Sequence, residues 1–267
     1  DLDCPFCFGP KVKPRKFDLS LDIWKSAIDN FRKLGVRRLV VSGGEPTLYP
    51  KLAELLAHAK GIGLYVVLST HGRNQKVIES IAPSIDWLAY PIDGASDDFS
   101  PGSLLNHALK LKEKFPSLRV KIGTVVTRQN LHEIQEIGSL LEKHLFSWDT
   151  WKIYQFTPRR KKAFNQDILS ISPDEFAAAA ESQVERFLRR KNVVCSSHES
   201  RRGAYVFVYH NGQVTLVNQG ADFSDLVVGN VGDFNNIDFP AIEKDLLNQH
   251  EENFERTYFD GRTLTSS

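Results

Sequence analysis

Two cysteines three apart, Cys4 and Cys7 in Asp3-Cys4-Pro5-Phe6-Cys7, open the chain with ligands that suit a soft metal. Further along, Val40-Val41-Ser42-Gly43-Gly44-Glu45-Pro46 is an apolar run ending in two glycines and a carboxylate. Such a turn lets the backbone pass close to a ligand. Thiolates hold iron–sulfur clusters, and three thiolates on a four-iron cluster leave one iron open. A zinc site is a competing reading of the pair, but it needs two further Cys or His ligands at tight spacing. Phe8 and Gly9 follow the pair instead. A pair of purely structural thiols is the third reading.

Other stretches could complete a site. Ser69-Thr70-His71-Gly72 and Ile92-Asp93-Gly94 each end an apolar run, where they either meet a ligand or close a turn. His71 reads as a turn residue rather than a base. In the run 120–126, Lys121 and Gly123 share a face by alternation; in 151–156, Lys152 and Tyr154 do, with Gln155 opposite. A lysine in a covered strand is costly unless it meets an anion. Two of them pointing into one barrel would make a phosphate or carboxylate pocket; otherwise each snorkels to the rim. Lys11, Lys13, Arg15 and Lys16 read as a solvated connector or a flap over the site, and Cys195 as a structural thiol.

The cysteine pair followed by Gly43-Gly44-Glu45-Pro46 resembles the radical S-adenosylmethionine (SAM) enzymes, whose signature is C-x3-C-x2-C with GGEP after a barrel strand. The resemblance implies a 4Fe–4S cluster on Cys4, Cys7 and a further cysteine that would precede Asp1. It also implies SAM on the open iron, cleaved to a 5′-deoxyadenosyl radical. Phe6, Gly43, Gly44, Glu45, Ser69 and Asp93 would then contact SAM, with Glu45 accepting from its ammonium group. An electron donor of flavodoxin or ferredoxin type would be required. Within that superfamily the chain looks most like viperin and its microbial relatives, which dehydrate nucleoside triphosphates. The shared words are Cys4-Pro5-Phe6-Cys7-Phe8, Val120-Lys121-Ile122, Trp151-Lys152-Ile153-Tyr154-Gln155 and Ala204-Tyr205. By this resemblance Lys121 and Lys152 would hold substrate phosphates, and Tyr205 would return a hydrogen atom or shape the pocket. The chain departs from the pattern at Gly123, where those relatives carry asparagine. A peptide or small-metabolite modifier using the same radical, and a non-catalytic cluster scaffold, stay open as alternatives. No late group of cysteines is present, which argues against maturases with auxiliary clusters.

Composition narrows the partners. The net charge is +1, from 34 Lys and Arg against 33 Asp and Glu, so no nucleic acid partner is expected. No apolar run is long enough to span a bilayer. Three cysteines, two in a ligand-like pair, point to a reducing compartment, expected to be the cytoplasm.

The elements must carry these residues to one place. Apolar spacing predicts helices over about 19–34, 52–60, 76–81, 104–115 and 131–145, the last started by a capping box of Asn130 and Glu133. Strands are expected at 39–41, 64–68, 87–92, 120–126 and 151–156. Strand–helix alternation signals right-handed βαβ units, in either a barrel or an open doubly wound sheet. With a sixth strand ahead of the cysteines, the resemblance selects a partial (β/α)6 barrel in an α/β fold. Residues 1–158 are expected to form that barrel. Residues 159–267 would form a C-terminal α+β extension closing its mouth. There, Ser172-Pro173-Asp174-Glu175 starts a helix, and His210-Asn211-Gly212 turns a hairpin between 205–209 and 213–217.

Overall fold

The computed structural model describes residues 6–7, 19–95, 100–158, 166–188, 190–197, 206–216 and 225–242. Six parallel strands form one sheet: β1 (Arg38–Val41), β2 (Tyr65–Ser69), β3 (Trp87–Pro91), β4 (Arg119–Val126), β5 (Thr150–Gln155) and β6 (Asn192–Ser196). Each pairs only with its neighbours in chain order. Helix α1 (Leu21–Lys33) precedes β1. The crossovers carry α2 (Leu52–Gly61), α3 (Gln75–Ile81), α4 (Pro101–Lys114), α5 (Ile134–Lys143) and α6 (Pro173–Phe187). A doubly wound sheet reverses strand order at a switch point, which sends helices to both faces. This order never reverses, so right-handed crossovers stack every helix on one face. Barrel winding follows, and it stays open because β1 and β6 do not pair.

The sixth strand differs from expectation. It is β6, built from the stretch around Cys195, which the sequence reading did not give as a strand. Val194 and Ser196 are buried and the other three residues half-buried, and its apolar run is only three residues long, Val193–Cys195. Pairing with β5 makes it a strand, through Lys152↔Val194 and Ile153↔Cys195.

Alternation divides the sheet into two faces. Leu68, Leu88, Ile122 and Trp151 point to the helix layer and are fully buried beside Leu56 and Ile137. Each such side chain contributes about 1.5–3 kcal/mol. Val67, Trp87 and Ala89 point the other way, into the concave face.

Caps set several helix starts. Ser20 Oγ accepts from Ile23 N at the head of α1. Ser172 and Glu175 form the full capping box of α6. The box expected at Asn130 and Glu133 does not form. Asn130 Oδ1 accepts from Thr127 N and Oγ1, while its Nδ2 donates to the carbonyls of Asp93 and Val125. Glu133 accepts from Ala95 N at 3.0 Å. Both side chains tie the loop after β3 to the end of β4, and α5 begins later, at Ile134.

A second, antiparallel sheet holds β7 (Val206–Val208), β8 (Gln213–Leu216) and β9 (Leu226–Asn230). The turn 209–212 closes with Tyr209 N donating to Gln213 O. Val214, Leu216 and Val231 form a small core with Ala27 of α1, and Phe31 meets Phe234 edge-on at 5.2 Å. Among the described residues, this second sheet packs against α1. Among the same residues, no helix is long and apolar enough to cross a membrane.

Candidate functional site

β1 delivers the glycine turn. Ser42, Gly43 and Gly44 are exposed, and Gly43 has a φ of +140° that side chains disfavour. Among the described residues, nothing lies within 4 Å of a Cβ added at Gly43 or Gly44, and the turn presents its backbone on an open side.

Glu45 then turns inward. Its side chain is fully buried, and its carboxylate gathers five donors. Oε1 accepts from Thr47 N at 2.9 Å, Thr47 Oγ1 at 2.5 Å and Thr70 Oγ1 at 2.7 Å. Oε2 accepts from His71 N at 3.0 Å and lies 3.2 Å from His71 Nε2. Burial pushes the Glu45 carboxyl up, but the hydrogen bonds from Thr47, Thr70 and His71 outweigh it and hold the group below its usual range. His71 Nδ1 accepts from Arg73 N, which leaves Nε2 as the protonated nitrogen donating to Glu45. Burial lowers the His71 pKa, with the Glu45 charge opposing, so the ring is a neutral donor. Asn74 Nδ2 donates to Thr47 Oγ1 and extends the knot. The ends of β1 and β2 are thereby fastened together.

Register brings the lysines level with these ends. β1 and β2 pair as far as Val41↔Leu68; one residue on, Ser69 pairs with Ala89, Ala89 with Lys121, and Lys121 with Thr150. Lys152 stands one row higher, opposite Gly123, and Tyr154 one row above that. Lys121 and Lys152 are buried, at 8% and 2% exposure. Lys121 Nζ donates to Tyr154 Oη at 3.3 Å, and both ammonium groups lie near the Tyr154 ring, at 6.0 and 5.3 Å from its centre. Neither lysine snorkels to an exposed rim.

The other sequence-derived residues fall as follows. Cys7 is half-buried, and Phe6 is half-buried beside it in sequence. Cys4 and Tyr205 lie outside the described residues. Ser69 ends β2, half-buried, on the concave face. Asp93 Oδ1 accepts from Val125 N at 2.6 Å, so one carboxylate oxygen ties the loop after β3 to β4. Sequence reading missed Thr47 and Thr70 as partners of Glu45, and gave Tyr154 no role. Thr70 sits inside a stretch already singled out, yet no local spacing links it to a carboxylate twenty-five residues away.

The chemistry of these residues suits a soft cluster and SAM: Cys7 is a thiolate ligand by type, and among the described residues the Gly43–Gly44 backbone has room in front of it. The carboxyl ends of parallel strands are where barrels of this winding place their ligands.

Comparison with known proteins agrees. A model of the radical SAM superfamily matches residues 1–141. The S-adenosylmethionine-dependent nucleotide dehydratase of Flammeovirga pacifica is 25% identical over 232 residues, covering 78% of this chain and 76% of that protein. PqqA peptide cyclase of Bradyrhizobium diazoefficiens is 29% identical over 147 residues, covering 51% of this chain and 39% of the cyclase. The crystal structure of Streptococcus suis SuiB bound to S-adenosylmethionine superposes with a TM-score of 0.65 at 16% identity, over 93% of this chain and 62% of SuiB. That likeness shows a common fold. The chain thus spans three quarters of the dehydratase but less than two thirds of the cyclase and of SuiB. The family implies SAM and a 4Fe–4S cluster as cofactors. With its parallel winding, its Cys4–Cys7 pair and its glycine turn, this chain belongs to the radical SAM superfamily.

Proposed function

We propose that this protein is a nucleotide dehydratase: it removes a ribose hydrogen from a nucleoside triphosphate and expels water. When bound, the cluster and SAM supply a 5′-deoxyadenosyl radical as the hydrogen acceptor. Cys7, with Cys4, would hold the cluster. The backbone of Gly43 and Gly44 would receive the amino-acid end of SAM. Glu45 keeps that turn in shape through the donors it gathers, and Ser69 and Asp93 would border the rest of the cofactor. Tyr205 would return a hydrogen atom or shape the pocket.

The observation that carries this reading is the pair of buried lysines on the concave face. Two ammonium donors on one buried surface match the chemistry of a ligand with several negative oxygens. A triphosphate is such a ligand, and its grip would hold the ribose still for hydrogen removal. The likeness to the Flammeovirga dehydratase over most of both chains points the same way. A peptide substrate is the alternative, favoured by the likeness of about half of the chain to PqqA peptide cyclase. A donor of flavodoxin or ferredoxin type would deliver the electron.

The test is 5′-deoxyadenosine formation by the full-length, anaerobically reconstituted and reduced protein, with each of the four common nucleoside triphosphates. One triphosphate is expected to raise the rate well above the basal value. Equal rates with all four and with none would remove the dehydratase reading. No 5′-deoxyadenosine under any condition would leave the scaffold alternative.

A further inference from the structure

The loop after β3 is fastened to β4 and to the segment that leads into α5. Ile92 N donates to Gly123 O at 2.9 Å, and Thr124 Oγ1 donates to Ile92 O at 2.6 Å. Val125 N donates to Asp93 Oδ1 at 2.6 Å, and Asn130 Nδ2 donates to Asp93 O at 2.7 Å. These bonds hold the start of the loop. Its next anchor is Ala95 N, which donates to Glu133 Oε2 at 3.0 Å across 38 residues of sequence. Glu133 has the composition of a first-turn helix acid, but its carboxylate is spent on this distant backbone N–H and makes no side-chain cap for α5.

The loop leaves the carboxyl end of β3, the side on which barrels of this winding place their ligands. β3 stands two strands from β1, so at a strand spacing of about 4.8 Å its end is about 10 Å from the glycine turn. Between them, Thr70 N donates to Ala89 O at 3.1 Å, so the Glu45 knot and the β3 loop belong to one rim. A molecule with the length of SAM, seated by its amino-acid end on Gly43 and Gly44, reaches across that rim to the loop. Resting on the reading of this mouth as the SAM site, we infer that Glu133 is a positioning residue for SAM: through Ala95 N it holds the loop after β3 as a wall for the nucleoside half of the cofactor. The carboxylate acts through the backbone and touches no reacting atom. A wall fixed before the cofactor arrives spares the cost of ordering a loop on binding, so the hold on SAM is the quantity that Glu133 controls.

Glu133→Ala removes the acceptor for Ala95 N, and Glu133→Gln keeps an oxygen there without the charge. SAM binding to the anaerobically reconstituted full-length wild type and both variants is measured by calorimetry. Bound iron, urea midpoints and the steady-state constants for SAM cleavage are measured alongside. Glu133→Ala is expected to bind SAM about fivefold more weakly, and Glu133→Gln within about twofold of wild type, with iron content unchanged in both. The KM for SAM should rise by a similar factor in Glu133→Ala, with kcat changed by less than about twofold. Equal SAM affinity in wild type and Glu133→Ala would overturn the positioning role, whatever the urea midpoints, and leave the SAM site standing. Weaker nucleoside triphosphate binding with unaltered SAM affinity would also overturn it, by assigning the loop to the substrate. Failure of the wild type to bind SAM would instead overturn the reading of the mouth as the cofactor site.

Discussion

Glu45 and His71 meet twice across the ends of neighbouring strands: the backbone N–H of His71 lies 3.0 Å from Glu45 Oε2, and its ring Nε2 lies 3.2 Å from the same oxygen. The pairing makes a motif carboxylate into the fastening between β1 and β2. It also fixes the direction of the glycine turn, because Glu45 follows Gly44 directly and caps the 3-10 turn Pro46–Leu48. A backbone surface meant to receive a ligand must be held still, and here a buried charge with five donors does so.

Removing that charge should therefore be costly. Glu45→Ala leaves buried donors on Thr47, Thr70 and His71 facing an empty space. Hydrogen bonds to a charged group contribute about 1.5–3 kcal/mol each, so a total loss of at least about 3 kcal/mol is expected. Urea unfolding checks it. A midpoint within error of wild type would mean the network has no energetic weight.

Acid should weaken the fold in two stages. Burial lowers the His71 pKa below its ordinary 6.5, and lowers that of His107, which bonds Tyr90 Oη, as well. The unfolded chain then binds more protons than the folded chain just below pH 6.5, so stability falls as pH drops through the folded values. The Glu45 carboxyl also lies below its ordinary 4.5; its contribution is complete above that pH and disappears as pH falls further. Urea midpoints measured from pH 8 to pH 4 should be flat at first, decline below about 6.5 and decline again below about 4.5. In His71→Gln the first decline should be shallower, with His107 keeping the remainder. Midpoints rising below pH 6.5 would contradict the assignment of neutral, buried imidazoles.

Cluster loading tests the cysteines. Cys7→Ala should lose the visible thiolate-to-iron absorbance of reconstituted protein and most of its bound iron. An unchanged spectrum would remove Cys7 from the ligand set.

Lys121 and Lys152 can be separated from general stability. Either alanine variant should weaken triphosphate binding by about 1.5–3 kcal/mol, the range for a charged hydrogen bond. Unaltered affinity in both variants would assign the lysines a structural role.

Gly72 offers a purely steric check on the loop that carries His71. Its φ is +85°, and an added Cβ would lie 2.4 Å from Leu104 Cδ2 and 3.0 Å from Tyr90 Cε1, both in the core. Gly72→Ala combines left-handed strain of about 1 kcal/mol with overpacking of about 1–3 kcal/mol. A thermal melt should show a clearly lower midpoint. No change would mean the loop can move away from α4 without cost.

Much of the winding was legible before any coordinates. The apolar runs of β2, β3 and β4 and the Ser172–Glu175 capping signal depend on neighbours one to four residues apart, where local propensity and hydrogen bonding act. The Cys4–Cys7 pair and the glycine turn were visible for the same reason: their chemistry is written in adjacent residues. Three things needed the tertiary structure. β6 is a strand because β5 pairs with it, its own signal being too short. Asn130 has the composition of a cap, but the carbonyls of Asp93 and Val125 compete for its amide and win. Ser69 and Lys121 share a row, and Tyr154 lies over Gly123, through register and crossover geometry that no single segment encodes. Residue types and spacing thus determined which chemistry was possible. Strand pairing decided which side chains meet, because contacts between distant segments arise only when the sheet assembles.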